Sequence, residues 1–130
     1  MLPDNPRLRT ALGAAAGDAE RQGEVLAALL DGTAILALVP GERDTGRLGI
    51  TPIAKPPPLA VARDAEGVLT ALLFSGPETF AAWGGSNRAV CGPGRAMAAM
   101  VRDQGVFAAV LDVAGPVAAA LDHADLRALA

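Results

Sequence analysis

Leu8, Ala11, Leu12 and Ala15 recur at three- and four-residue spacing directly after Asn5-Pro6, which predicts a short amphipathic helix running to Gly17. Asn5 is suited to the N-cap and Pro6 to the first helical position, where its missing N–H costs nothing. A second stripe, Val25, Leu26, Leu29 and Leu30, predicts another helix, capped by Asp18 and closed at Asp31-Gly32 by a left-handed glycine. Glu20, Arg21 and Glu24 then face water. The pattern changes at Thr33 to Val39, where TAILALV is apolar on both faces and bounded by Gly32 and Pro40-Gly41, as expected of a central strand covered on both sides.

Residues 41–58 mix charges with glycine and end on Pro56-Pro57-Pro58, a run without backbone donors, so they read as a long loop. LAVARD and VLTALLF flank Ala65-Glu66-Gly67 and predict a hairpin whose glycine supplies a positive φ. Ser75 and Glu78 have capping-box spacing ahead of a short helix that carries Phe80 and Trp83 and ends at Gly84-Gly85. Ala89 to Cys91 reads as a brief strand, Gly92-Pro93-Gly94 as a turn, and Arg95 to Gln104 as a helix with Met97, Met100 and Val101 on one face before Gly105. VFAAVLDV is a further apolar strand, and Ala114-Gly115-Pro116 turns it towards VAAAL. Asp122 caps a last helix, with Leu121 and Leu126 at hydrophobic-staple positions. The expected class is α+β: a single domain over residues 1–130, with a mixed β-sheet of about five or six strands flanked by helices, two of them N-terminal.

Composition narrows the function classes. The 130 residues are 52% hydrophobic and 19% charged, with no apolar run approaching the length of a membrane span, so a soluble globular domain is expected. The opening MLPDNPRLR is polar where a secretory signal would be apolar, which favours a cytoplasmic location. Single copies of Cys and His exclude an intrachain disulfide and argue against a zinc site, and neither a metal nor another cofactor is expected. A net charge of -3 with 3% aromatic residues lacks the basic footprint and stacking platforms of nucleic-acid binding. Neither nucleic acid nor membrane is an expected partner.

The candidate chemistry centres on Cys91, Gly92, Gly94 and Arg95. A strand ending in Cys, then a Gly-rich loop and a helix, would aim amide N–H groups and the helix dipole at a thiolate, the layout of rhodaneses and Cys-dependent phosphatases. Those phosphatases place an Arg six positions after the Cys, where this chain has Met97, and Arg95 comes too early. A small buried thiol in the core is the favoured expectation for Cys91. The same glycines ahead of a helix could instead cradle a small anion. Trp83, with Phe80, is expected as a largely buried core anchor or a partner contact. Asp112 ends an apolar strand and is expected to cap or turn the chain rather than perform chemistry, and His123 is expected to face solvent.

The order LLDGTAILALVP, DAEG, LLFSGPETFAAWG, GPGRAMAAMVRDQGVFAAVLDVAGPV and a last L-D-x-x-D-L-x-A-L resembles the SseB family N-terminal domain from about Glu24 to Leu129. The shared features are caps, structural glycines and core residues. The resemblance therefore implies an α+β domain and supplies no catalytic residue. With that absence of catalytic chemistry, the expectation is a non-enzymatic protein-interaction or regulatory module whose partner is another protein or a second copy in a homodimer. The alternatives are a thiol-dependent sulfur-transfer enzyme at Cys91 and a small-anion sensor at Gly92 to Arg95.

Overall fold

Asn5 explains how the chain begins to fold. In the computed structural model, which describes residues 2–16, 18–39 and 58–129, its side-chain oxygen accepts the Leu8 N–H at 3.1 Å and starts helix α1, Pro6–Ala15. Its amide nitrogen donates to the carbonyls of Ala28 and Thr33 at 3.2 and 2.9 Å, so one buried side chain also joins α1 to the end of helix α2, Gln22–Leu30, and to the start of strand β1, Thr33–Ala37. This contact corrects the expected role of Gly32, whose φ is not left-handed. A Cβ there would come within 2.5 Å of the Asn5 amide nitrogen and 2.7 Å of the Ala28 carbonyl oxygen, so glycine is required by close approach. Asp18 caps a 3-10 turn, Ala19–Arg21, that precedes α2, accepting the Glu20 N–H at 3.1 Å.

Strand β2, Val61–Arg63, and strand β3, Leu69–Phe74, form the expected antiparallel hairpin, with Gly67 at φ 83°. Helix α3, Pro77–Trp83, ends on Gly84 at φ 65°. Strand β4, Ala89–Pro93, runs directly into helix α4, Gly94–Asp103, so the expected turn at Gly92-Pro93-Gly94 is the end of a strand and the start of a helix. After Gly105, at φ 77°, come β5, Ala109–Leu111, β6, Ala119–Leu121, and helix α5, His123–Leu129. Asp122 and Asp125 cap α5 reciprocally: each carboxylate accepts the other's backbone N–H, at 2.9 and 3.1 Å. Leu121 and Leu126 are both buried beside this cap, as the staple requires.

The sheet is mixed, in the order β4-β1-β3-β5-β6, with β2 also paired to β3. Among the described strands only β3 and β5 are parallel, with Leu72 opposite Val110. Side-chain alternation divides the core between the two faces. On one face, Ala34, Leu36, Ala71, Leu73, Ala109, Leu111 and Leu121 pack against α1, α2, α4 and α5. On the other, Ile35, Ala37, Leu72 and Phe74 meet α3 through Phe80 and Trp83, with Leu2 added from the N-terminal segment. The expected loop over 41–58 lies outside the described residues except for Pro58, whose carbonyl accepts the Val39 N–H at 3.0 Å.

Candidate functional site

Cys91 lies within β4, opposite Ile35 of β1, and the strand continues through Gly92 and Pro93 opposite Ala34 and Thr33. Its side chain is exposed, which corrects the expectation of a small core thiol. The reason is position: β4 is the sheet's edge, and Cys91 points to the face that, among the described residues, the short helix α3 covers. The strand continuation also removes the loop that a phosphate or sulfur cradle would need at this point. Gly94 donates its N–H to the Gly32 carbonyl at 3.0 Å, and a Cβ on Gly94 would overlap the carbonyl of Leu29. Gly94 is therefore explained by the packing of the α4 start against the end of α2. Arg95 is exposed on the first turn of α4.

Trp83 packs as expected with Phe80, at a ring-centroid distance of 6.2 Å, and both rings meet Phe74, at 5.5 and 5.4 Å respectively. It is half-buried rather than largely buried, because it closes α3 at the rim of the aromatic cluster. The Gly85 backbone lies against the indole, leaving no space for a Cβ.

The expected capping box at Ser75 and Glu78 does not form. Gly76 occupies the N-cap without a side-chain cap bond, and Ser75 turns instead to Asp112. The Asp112 carboxylate accepts the Ser75 N–H at 2.7 Å, the Ser75 hydroxyl at 2.6 Å and the Thr79 hydroxyl at 2.9 Å. A carboxylate makes stronger hydrogen bonds than a neutral acceptor, which favours this arrangement over a local cap. Asp112 is 2% exposed and sits at φ 50°, a conformation that Asp tolerates better than most residues. Ser75 and Asp112 each follow directly on a strand of the parallel pair, so this knot ties together the C-terminal ends of β3 and β5. The Asn5 N–H donates to the Ser75 carbonyl at 2.7 Å, and Arg9 pairs with Asp4 just outside. The hydrogen bond from Arg9 holds the Asp4 carboxyl below its ordinary pKa, and the same bond raises that of Arg9. Every carboxylate oxygen of Asp112 is occupied, so the cluster is a structural knot that the sequence signalled only as two polar residues placed just after apolar strands.

Beyond α3, no further helix among the described residues packs on the second face of the sheet. Leu72, Val110 and Ala120 are neighbours in series across β3, β5 and β6, and with Ala62 and Thr70 they floor a groove of about 510 Å³. Arg63, Asp64, Val113, Asp122 and Asp125 stand around it. Its floor is apolar, and Val113 is 42% exposed beside it.

The family profile of the SseB protein N-terminal domain matches residues 8–128. The chain belongs to that family. The match reaches back to Leu8, so α1 belongs to the SseB domain together with the region from Glu24 onwards. Comparison with curated proteins and with solved structures gives no match. Among the described residues of this SseB domain, no group of three or more His, Cys, Asp or Glu is placed to hold a metal ion, and no helix is long and apolar enough to cross a membrane.

Proposed function

We propose that this SseB-family domain is a non-catalytic protein-interaction or regulatory module that receives its partner on the open half of the sheet. The observation that carries this reading is the apolar groove over β2, β3, β5 and β6, on a sheet whose opposite face packs against α1, α2, α4 and α5. Val110, on the groove floor at the parallel pair β3–β5, is half-buried, and among the described residues α3 is the helix that packs on this face. Two groups of polar residues have structural partners: Ser75 and Thr79 bind Asp112, and Asp122 and Asp125 cap one another's backbone. The thiol of Cys91 is accessible, but it lies mid-strand on β4, at the opposite edge of the sheet from β6.

The test is site-specific photo-crosslinking in cells, with a photoreactive residue at Ala62 in the groove or at exposed Thr10 on α1. The reading expects one discrete heterologous adduct, identifiable by mass spectrometry, from position 62 and not from position 10. That adduct should disappear when Ala120→Arg places a bulky cation on the groove floor. Equal patterns from both positions would discard the reading.

A further inference from the structure

We infer that the groove is built for an amphipathic helix of a partner protein, with lysine or arginine flanking the helix's apolar face. This rests on the docking role proposed above and adds the chemical class of the partner.

The shape argument comes from the strands. The floor crosses four of them, and at a spacing of about 4.8 Å that makes a width of about 14 Å, enough for a helix of about 10–12 Å diameter. Ala62, Ala108 and Ala120 keep much of the floor low, so a helix can approach closely. An extended peptide would instead pair with a sheet edge through its backbone. A helix laid over half-buried Val110 and exposed Ala120 would extend the cover that α3, seven residues long, gives at the other end of this face.

The charge argument comes from the rim. Three carboxylates border the groove, Asp64 from the β2–β3 turn and Asp122 and Asp125 from the start of α5, against one guanidinium, Arg63. Arg63 is already engaged, donating to the Gly67 carbonyl at 2.8 Å. Asp64 accepts the N–H groups of Glu66 and Val68, and the other two carboxylates accept each other's backbone N–H. Those bonds fix the carboxylates in place without neutralising them, and none of the three has a cationic partner among the described residues. An apolar floor inside an acidic rim complements a helix with the opposite flanks. It repels anionic lipid and nucleic acid, and a second copy docked about a two-fold axis would set Asp against Asp.

The experiment measures fluorescence anisotropy of labelled helical peptides of about 18 residues, five turns. One peptide has a leucine face flanked by Lys and Arg, a second has the same face flanked by Glu, and a third is the basic peptide with its sequence shuffled to destroy the apolar face. The basic amphipathic peptide should bind at least about tenfold more tightly than either control, and more weakly as salt rises from about 0.05 to 0.3 M. The triple variant Asp64→Asn, Asp122→Asn, Asp125→Asn keeps side-chain oxygens for the caps, so its thermal transition should stay near that of the parent while the tenfold preference is lost. Ala120→Arg, a change at an exposed position, should abolish binding.

If the Glu peptide binds as well as the basic one, and Ala120→Arg abolishes both, the charge inference falls and the docking role stands. If no peptide binds, or Ala120→Arg changes nothing, both fall. A concentration-dependent dimer in sedimentation that Ala120→Arg dissociates would show the occupant to be a second copy and overturn the inference.

Discussion

The two faces of this sheet are made by the same strands and finished differently. Along β5, Leu111 points into the four-helix layer and is 0% exposed, while the preceding residue, Val110, points to the open groove and is only half-buried. Along β1, the neighbours Ile35 and Leu36 are both fully buried, because α3 covers the second face at that end. The asymmetry therefore lies in which elements cover the strands. One face packs its central strands against four helices, and the other is core where Ile35, Ala37, Leu72 and Phe74 meet Phe80 and Trp83.

The sharpest way to break this comparison is to truncate both sides of β5. Leu111→Ala should cost about 3 kcal/mol in urea denaturation, from lost transfer energy and the cavity left behind. Val110→Ala should cost about 1 kcal/mol or less. Equal losses would mean that the second face is closed over Val110 after all. Asp112→Ala, at the seam between β3 and β5, should cost almost as much as Leu111→Ala, about 3 kcal/mol, because it strips a charged acceptor from a buried N–H and two hydroxyls. Asp112→Asn should recover much of that loss, and failure to do so would show that the charge itself matters there.

Trp83→Ala tests the covered end of the second face. A half-buried indole in an aromatic cluster should contribute about 2 kcal/mol, less than a fully enclosed one, and its emission should lie between those of buried and free indole. Emission at the free-indole position would remove Trp83 from the cluster. The smallest effect concerns the segment that passes from Leu2, on the second face, to α1, on the first. Asp4 in the folded protein titrates below its ordinary value of 3.8, so its contribution to stability is present above that pH and is lost as pH falls through the lower folded value. Arg9→Gln should return the Asp4 titration, followed by carboxyl-carbon NMR, towards 3.8. An unchanged titration would dissociate the pair.

Local signals were legible in the sequence wherever a residue acts on its own neighbours. The Asn5-Pro6 start, the Gly67 hairpin, the Gly84 and Gly105 stops and the Asp122 cap all follow from short-range chemistry, and each is found where the pattern puts it. The misread positions are those where a distant partner intervenes. Ser75 gives up a local cap for Asp112, 37 residues away, and Gly32 is glycine because of Asn5, far earlier in the chain. The exposure of Cys91 is not legible because apolar periodicity reports that a strand exists but not that it lies at an edge. The groove was illegible for a related reason: its floor comes from four strands whose order the sequence does not state.

Cys91 also gives the molecule a built-in reporter position. It is the chain's single thiol, it is exposed, and its pairing with Ile35 places it on the same face of the sheet as the groove, with β1 and β3 lying between it and β5. At about 4.8 Å per strand, a maleimide dye on Cys91 would sit about 14 Å from β5, close enough for energy transfer to a labelled ligand seated over Val110. Attachment at one site needs no cysteine to be engineered in or out, so occupancy of the open face can be followed by spectroscopy with the native sequence otherwise intact.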